Sequence, residues 1–475
     1  MITILNPALT MRKDGNRVVL YPGRDDTTKS TREFAYRFVD PRAAVVLSLF
    51  DGQRSREDVV SLWRELNDCD LLSAQHDVEG VLGDFHEFIL DSEKVPPDFQ
   101  PLDPEDFICK MAALDHSAAR LVVPYSMLYL PTLLCGHNCR YCYADARKSP
   151  GDNELTPVEL ERLMDEAVSL RFSSVSFSGG DPFLRKDIFE LIDIVFSHGF
   201  ASDVPTKSPL TERQIQRLVD IGVGRIQISL DSPFDAEVVE HLTGRSNYFP
   251  AIMKTLMMLG ESGFRVGITA VVTSLTIDSV PRMAEFYADL GFVNRVGFAQ
   301  LSPSIYREFP ELYPSPEKYE WLEAAIDPIK SKYSHIRINC GTLKDPGNMT
   351  VEERREWFEG RPVCSGGKYA FVLLPDGKVT VCEDLSYHPA FIVGDLRQQT
   401  IMEMWHSPEM LKLMRPEKQA FEGSPCYDCP TFYECHTVRG RCWKRALQGF
   451  RHMPAPEFWP DPFCPRAPKP HTRMF

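Results

Sequence analysis

The chain is 475 residues long, 43% apolar and 25% charged, the balance of a soluble protein with a full core. Its net charge of −14 excludes an extended surface for nucleic-acid phosphates. At ~150 residues per domain the length predicts about three domains.

No apolar stretch in residues 1–20 is long enough for a signal peptide. The runs at 45–50 and 369–374 are far too short to span a bilayer. The expectation is a cytoplasmic protein without membrane or nucleic-acid partners. Thiols stay reduced in that compartment, so thirteen cysteines point to metal ligation rather than disulfides. Cys69 and Cys109 read as isolated structural thiols.

In chain order, residues 16–22 predict a strand and 41–50 a short apolar helix. Ser55 to Asp58 supplies a capping box for a second helix reaching about Asn67. Val78, Val81, Leu82, Phe85, Phe88 and Ile89 form the stripe of a third. A strand with three small helices is a winged-helix pattern. Residues 1–94 carry 12 Lys and Arg against 17 Asp and Glu, however, the wrong sign for a duplex. The pattern resembles the PqqD-like peptide-recognition domains found beside peptide-modifying enzymes, where a leader peptide adds a strand to a sheet edge. A purely structural domain is the alternative. Pro96, Pro97, Pro101 and Pro104 then mark a linker.

From residue 125 short apolar runs alternate with amphipathic stretches. Strands are expected at 128–134, 174–178, 202–206, 225–230, 265–272 and 294–299. Helices are expected at 156–170, 186–198, 211–220, 249–262 and 278–290. The first helix opens Thr156-Pro157-Val158-Glu159, with a cap, a proline and a first-turn carboxylate. This alternation implies a parallel sheet with right-handed crossovers, and six units are too few for a closed eight-stranded barrel. Prolines at 303, 310, 314 and 316 suggest a hinge over 302–315, followed by a bridging helix at 317–332.

The loop after the first strand reads Cys135-Gly-His-Asn-Cys139-Arg-Tyr-Cys142. Three thiols suit a [4Fe–4S] cluster, which normally takes four, and leave one iron open for chemistry. A zinc loop is the bland alternative, but zinc sites usually pair two knuckles. This spacing resembles the radical S-adenosylmethionine (SAM) enzymes. The resemblance implies an open (β/α)6 partial barrel. It also implies that the free iron chelates SAM, and that one electron splits the sulfonium to a 5′-deoxyadenosyl radical. Further motifs carry it. Ser178-Gly179-Gly180-Asp181-Pro182 matches the family's Gly-Gly-Glu-Pro turn, with Asp for Glu. Thr206, Lys207 and Ser208 end the third strand, and Ser229 and Asp231 the fourth, where the family binds the ribose hydroxyls and the SAM carboxylate. Arg245 is a candidate for that carboxylate or for a surface ion pair. Tyr141 sits where the family places an aromatic near adenine, or simply packs. Val271 and Thr273 are core or adenine-facing.

Seven cysteines close the chain. Cys364 is followed by Gly377 and Cys382, then Cys426-x2-Cys429-x5-Cys435, Cys442 and Cys464. The glycine fits the turn of a hairpin at Pro375-Asp376-Gly377-Lys378. The pattern resembles the SPASM extension, which implies two auxiliary [4Fe–4S] clusters, three in all. By that resemblance Cys364, Cys382 and Cys442 hold the first, and Cys426, Cys429, Cys435 and Cys464 the second. The family usually has Cys-x3-Cys where this chain has Cys435-x6-Cys442, with Arg439 at the x3 position. Cys340 or an open iron would complete the first cluster, and a zinc ribbon is the structural alternative. Glu383 and Asp384 follow Cys382, where sulfatase-maturing relatives place a proton-accepting aspartate, so both are candidate catalytic carboxylates or else a solvated acidic turn.

The expected layout is therefore an α/β chain. Residues 1–95 form the winged-helix-like domain, 96–124 a linker, 125–301 the partial barrel, 302–360 a bridge and 361–475 the Cys-rich iron–sulfur domain. The resemblance implies a maturase of a ribosomally made peptide or small protein, forming thioethers or other cross-links, with flavodoxin or ferredoxin as electron donor. An anaerobic sulfatase-type maturase and a zinc-stabilised binding protein are the rival readings.

Overall fold

A computed structural model describes residues 2–23, 35–108, 119–144, 146–147, 151 and 153–474, so Cys109 lies outside the described residues. The chain divides into two compact units, Met1–Val123 and Pro124–Phe475.

The first unit contains β1 (Ile2–Leu5), β2 (Leu9–Asp14), β3 (Arg17–Pro22), β4 (Arg37–Val39), α1 (Pro41–Leu49), α2 (Arg56–Asn67), α3 (Leu71–Asp84) and β5 (Ile89–Ser92). β2, β3 and β4 form an antiparallel sheet, and β1 pairs with β5. Gly15, at φ +68°, lies in the tight turn between Asp14 and Arg17, a backbone region that costs glycine little. A buried Asp14–Arg17 pair at 3.1 Å fixes the hairpin's end. The Ser55–Asp58 capping box forms as expected. The third helix is shorter than its apolar stripe predicts. It ends at Asp84, Phe85 and Phe88 turn into the core, and Ile89 opens β5. Gly80 and Gly83 weaken its last turns, so pairing with β1 wins.

The second unit continues β6 (Ser126–Tyr129), α4 (Pro157–Ser169), β7 (Ser174–Phe177), α5 (Ile188–Ser197), β8 (Val204–Thr206), α6 (Glu212–Ile221), β9 (Arg225–Ser229), α7 (Ala236–Thr243) and α8 (Tyr248–Glu261). Then come β10 (Arg265–Val272), α9 (Val280–Asp289), β11 (Val293–Gln300), α10 (Pro316–Lys332), β12 (Arg337–Cys340), α11 (Val351–Gly360), β13 (Ala370–Leu373), β14 (Lys378–Thr380) and β15 (Ile392–Asp395). Each expected strand has a counterpart, although the first lies at 126–129 rather than 128–134, and β12 adds a further parallel strand beyond the bridging helix. All ladders from β6 to β12 are parallel, but they fall into two sheets, β6–β7 and β8–β12, so the barrel stays open. The free edge of β6 takes β13 in parallel, and β14 and β15 extend that sheet antiparallel. One continuous sheet thus carries both the first barrel strand and the Cys-rich region.

Alternation along the strands separates core from interior. Ile226, Ile228, Val266, Ile268, Val296 and Phe298 are buried in the common core, whereas Gln227, Ser229, Thr269 and Gly297 alternate with them and are less covered. Asp203 holds Arg225 at 3.1 Å and Arg295 at 2.9 Å near the strands' N-terminal ends. Residues 302–315, expected as a hinge, are partly packed: Phe309 and Leu312 are buried in one cluster with Tyr141 and Leu242. Among the described residues no helix is long and apolar enough to cross a membrane.

Candidate active site

The cluster loop is held on both flanks. On one, Arg147 N–H donates to Leu133 O at 2.8 Å and Cys135 N–H to Arg147 O at 2.9 Å. On the other, Asn138 and Arg140 N–H donate to the Thr243 and Leu242 carbonyls at 2.8 and 3.0 Å. Those carbonyls end α7 and would otherwise lack helical partners, so the helix terminus and the loop satisfy each other. Helix α7 was not foreseen in the sequence. Arg245 follows it and lies over the loop, its Nη1 3.3 Å from where a Cβ on Gly136 would stand.

Cys135, Cys139 and Cys142 are half-buried. Burial pushes the Cys139 thiol up to about 11; the Lys207 ammonium opposes this, while Asp231 and the two sister thiols add to it. Among the described residues no three Cys, His, Asp or Glu side chains converge as they would on a single ion. The other two thiols lie close enough to act on Cys139, and the positive charge of a [4Fe–4S] core held by all three would favour their thiolates.

The turn after β7 packs against this loop. Gly179 has φ +118°, and a Cβ there would stand 2.5 Å from the Thr132 carbonyl. A Cβ on Gly180 would overlap the carbonyls of Leu133 and Leu134. Both glycines are thus required by backbone approach. Gly180 and Asp181 N–H donate to Thr132 O and Leu134 O. The Asp181 side chain is turned inward. It accepts from Thr206 Oγ1 at 2.9 Å, Lys207 N at 3.0 Å, Ser208 N at 2.8 Å and Phe183 N at 3.2 Å. Burial still pushes its carboxyl upward. Asp181 and Thr206 therefore brace the ends of β7 and β8 against each other.

The Lys207 side chain crosses to the end of β9. Its Nζ lies 3.0 Å from Asp231 Oδ2 and 2.8 Å from Tyr141 Oη, and Tyr141 also donates to Asp231. Val271 N–H donates to the other Asp231 oxygen at 3.2 Å. Desolvation works against the ammonium, but Asp231, Cys139, Tyr141 and Tyr248 together outweigh it and hold the Lys207 pKa well up. Burial pushes the Tyr141 phenol up, so this group stays neutral beside the ion pair. Ser229 accepts from Gln227 at 2.9 Å. Thr273 is buried in a turn with Thr276, and Val271 packs against the cluster that includes Tyr141.

The late cysteines fall into two groups. Cys364, Cys382 and Cys442 line one cavity with Lys368, Trp443 and Lys444. Cys426, Cys429, Cys435 and Cys464 line another of about 410 Å³, together with Arg361 and Arg439. Gly377, at φ +88°, makes the β13–β14 turn, with its N–H on Leu374 O at 3.0 Å. Cys340 joins neither group. It sits on β12 in the barrel core, and the charges acting on it are Lys330, Glu323 and Asp327 of α10 rather than any late thiol. The expectation of Cys340 as a fourth ligand is thereby corrected: strand pairing with β11 places it in the barrel.

Glu383 links the two ends of this unit. Its Oε2 accepts from Ser178 Oγ at 2.6 Å and from Tyr143 Oη at 3.1 Å. Burial pushes its carboxyl above the usual range. Asp384 is instead ion-paired to Lys444 at 2.5 Å. Tyr143 was quoted in no role from the sequence, although its place beside Cys142 was the available signal.

The model of the radical SAM superfamily matches residues 129–287, and that of the SPASM iron–sulfur cluster-binding domain matches residues 364–430. With the open parallel barrel and the grouped thiols, these matches give the chain a radical SAM domain and a SPASM extension, and with them SAM and several [4Fe–4S] clusters as cofactors. The iron–sulfur match replaces the zinc-ribbon reading. The mycofactocin maturase MftC of Mycolicibacterium smegmatis is 25% identical over 72% of this chain and 83% of its own. An AdoMet-dependent heme synthase of Oleidesulfovibrio alaskensis is 25% identical over 71% and 86%. The PqqA peptide cyclase of Granulibacter bethesdensis is 24% identical over 74% and 89%. The crystal structure of Streptococcus suis SuiB bound to S-adenosylmethionine superposes with a TM-score of 0.66 at 14% identity, covering 97% of this chain and 99% of that one. SuiB bound to its precursor peptide SuiA gives 0.65.

Proposed function

We propose that this enzyme modifies a ribosomally made peptide or small protein by abstracting a hydrogen atom from one of its residues, forming intrapeptide thioether or other cross-links. The bound SAM and its cluster supply the 5′-deoxyadenosyl radical when an electron arrives from a flavodoxin- or ferredoxin-class donor in the cytoplasm. Cys135, Cys139 and Cys142 would hold that cluster. The turn at Ser178 to Pro182, with Ser229 and Arg245, would position SAM, and Tyr141 and Asp231 would close its adenosyl side. Thr206, Lys207 and Asp181 would keep those walls in register. Cys364, Cys382 and Cys442 would hold one auxiliary cluster, and Cys426, Cys429, Cys435 and Cys464 the other.

The observation that carries the reading is the Ser178–Glu383–Tyr143 junction. It joins the SAM turn, the residue after Cys142 and the residue after Cys382. A substrate radical formed there would stand beside an electron acceptor, and an ionised Glu383 could take the proton released as that radical is oxidised. Peptide relatives support the substrate class, since PqqA peptide cyclase matches over 74% of this chain and SuiB shares the fold while holding a precursor peptide. The first unit, with its antiparallel sheet, would bind the leader by strand addition.

The test is anaerobic turnover of reduced, reconstituted protein with SAM and a Cys-containing peptide encoded beside it. A cross-link lowers the peptide mass by two hydrogens, with one 5′-deoxyadenosine released per bond. A formylglycine product would favour the sulfatase-type alternative. Deoxyadenosine produced with no peptide change, but with turnover of a porphyrin, would move the enzyme toward its heme-synthase relative.

A further inference from the structure

The three extra residues between Cys435 and Cys442 have a structural consequence. Residues 435–439 wind as a π-helical turn, Gly440 takes φ +75°, and the chain then delivers Arg441 into the protein before Cys442. Arg441 is 4% exposed and lines both cysteine cavities. One nitrogen, Nη2, is anchored on the Glu457 carbonyl at 2.6 Å and on that of Trp459. The guanidinium also lies 4.5 Å from the Trp443 ring centroid and 5.4 Å from that of Phe421. Its Nε and Nη1 are buried with no hydrogen-bond partner. Desolvation lowers its pKa, while the charges pulling it back up are Cys426, Asp461, Cys435 and Cys442, thiols from both groups among them.

A buried cation with two idle donors is costly unless something anionic completes it. Asp461 does not fill that place, because it is committed to Arg445 at 2.7 Å. A [4Fe–4S] core held by three or four thiolates carries net negative charge, and its sulfurs accept hydrogen bonds. We propose that Arg441 is a positioning and tuning residue set between the two auxiliary clusters, its free N–H groups directed at cluster sulfur and its charge favouring their reduced states. Reduction adds one electron and hence one negative charge, so a fixed neighbouring cation raises the reduction potential. Arg361 plays a lesser part on one side only, with Nη2 3.6 Å from Cys435 Sγ. The inference rests on the auxiliary-cluster assignment above but not on the identity of the substrate.

The test uses the full chain with Cys135, Cys139 and Cys142 changed to Ala, so that only auxiliary clusters contribute to the spectrum. Iron and sulfide content are measured, and midpoint potentials are read by electron paramagnetic resonance during redox titration. With Arg441→Met, full iron content and a shift of the auxiliary potentials to more negative values are expected. Arg441→Lys keeps the charge but not the fork and should fall between. Full iron with unshifted potentials in Arg441→Met overturns the inference alone. Should Arg441→Met lose iron, Arg441→Lys decides by the same reading, and loss of iron from both overturns it in favour of an assembly role. A parent protein without auxiliary iron overturns the cluster assignment itself.

Discussion

The SAM end and the auxiliary end treat buried charge in opposite ways. Around the cluster loop the charges are already paired: Asp181 is met by donors from three neighbouring residues of the next strand end, and Lys207 by Asp231. Around the late cysteines, Arg361, Lys368 and Arg439 rest on backbone carbonyls rather than on carboxylates, and Arg441 keeps two donors idle. The difference teaches what each end must do. The first must hold a shaped pocket for a ligand that comes and goes with each turnover, so its walls are self-sufficient. The second surrounds resident clusters, so protein and cofactor complete each other.

The largest break in this contrast comes from the SAM end. Changing Cys135, Cys139 and Cys142 together to Ala should abolish 5′-deoxyadenosine formation entirely while leaving auxiliary iron in place, read by product chromatography and iron analysis. Next is Gly180→Ala. Its methyl would overlap the Leu133 and Leu134 carbonyls, which are backbone and cannot rotate away. Overpacking of this kind costs about 1–3 kcal/mol, so SAM cleavage should fall roughly 10- to 100-fold. Unchanged cleavage would show that the turn is looser than its packing implies.

Lys207→Met sharpens the same contrast. Removing the ammonium leaves Asp231 buried without its cation, and breaking a buried pair costs on the order of 3–5 kcal/mol. Thermal unfolding should drop accordingly, and a Lys207→Met, Asp231→Leu double variant should recover part of the loss. Equal unfolding temperatures for wild type and Lys207→Met would mean that the pair does not stabilise this end.

Much of this architecture was legible in the sequence because it is local. The βα alternation, the Thr156 and Ser55 caps, the cluster loop and the Gly377 turn each declare themselves within a few residues. What stayed hidden depends on distant pairing. β13 lies against β6 across some 240 residues, and Cys340 looked like a ligand only because the β11–β12 ladder that buries it is not visible in one segment. Thr206 and Asp181 read as cofactor contacts, yet they bond to each other, since both polar groups end adjacent strands. Helix α7 escaped because it begins five residues after Asp231, in a stretch for which no element was expected.

The smallest expected effect tests how the auxiliary end is fastened to the barrel. Glu159 caps α4 and also accepts from Arg397, just beyond β15, at 2.8 Å, while Ile401 N–H reaches Glu166 at 2.7 Å. Burial alone would raise the Glu159 pKa, but the Arg397 guanidinium and the Thr156 N–H outweigh it and hold the carboxyl down at about 2. A carboxylate lowered in the folded state adds stability that is fully present above its unfolded pKa, about 4.3, and is lost as pH falls from there toward 2. Because its side chain is 33% exposed, solvent screening limits the pair to about 1 kcal/mol. Glu159→Gln should therefore lower stability by about that much at pH 7, and the difference from wild type should shrink as pH is lowered through 4, measured by denaturant unfolding. A gap that persists at low pH would assign the loss to helix capping geometry, not to the charge that ties α4 to Arg397.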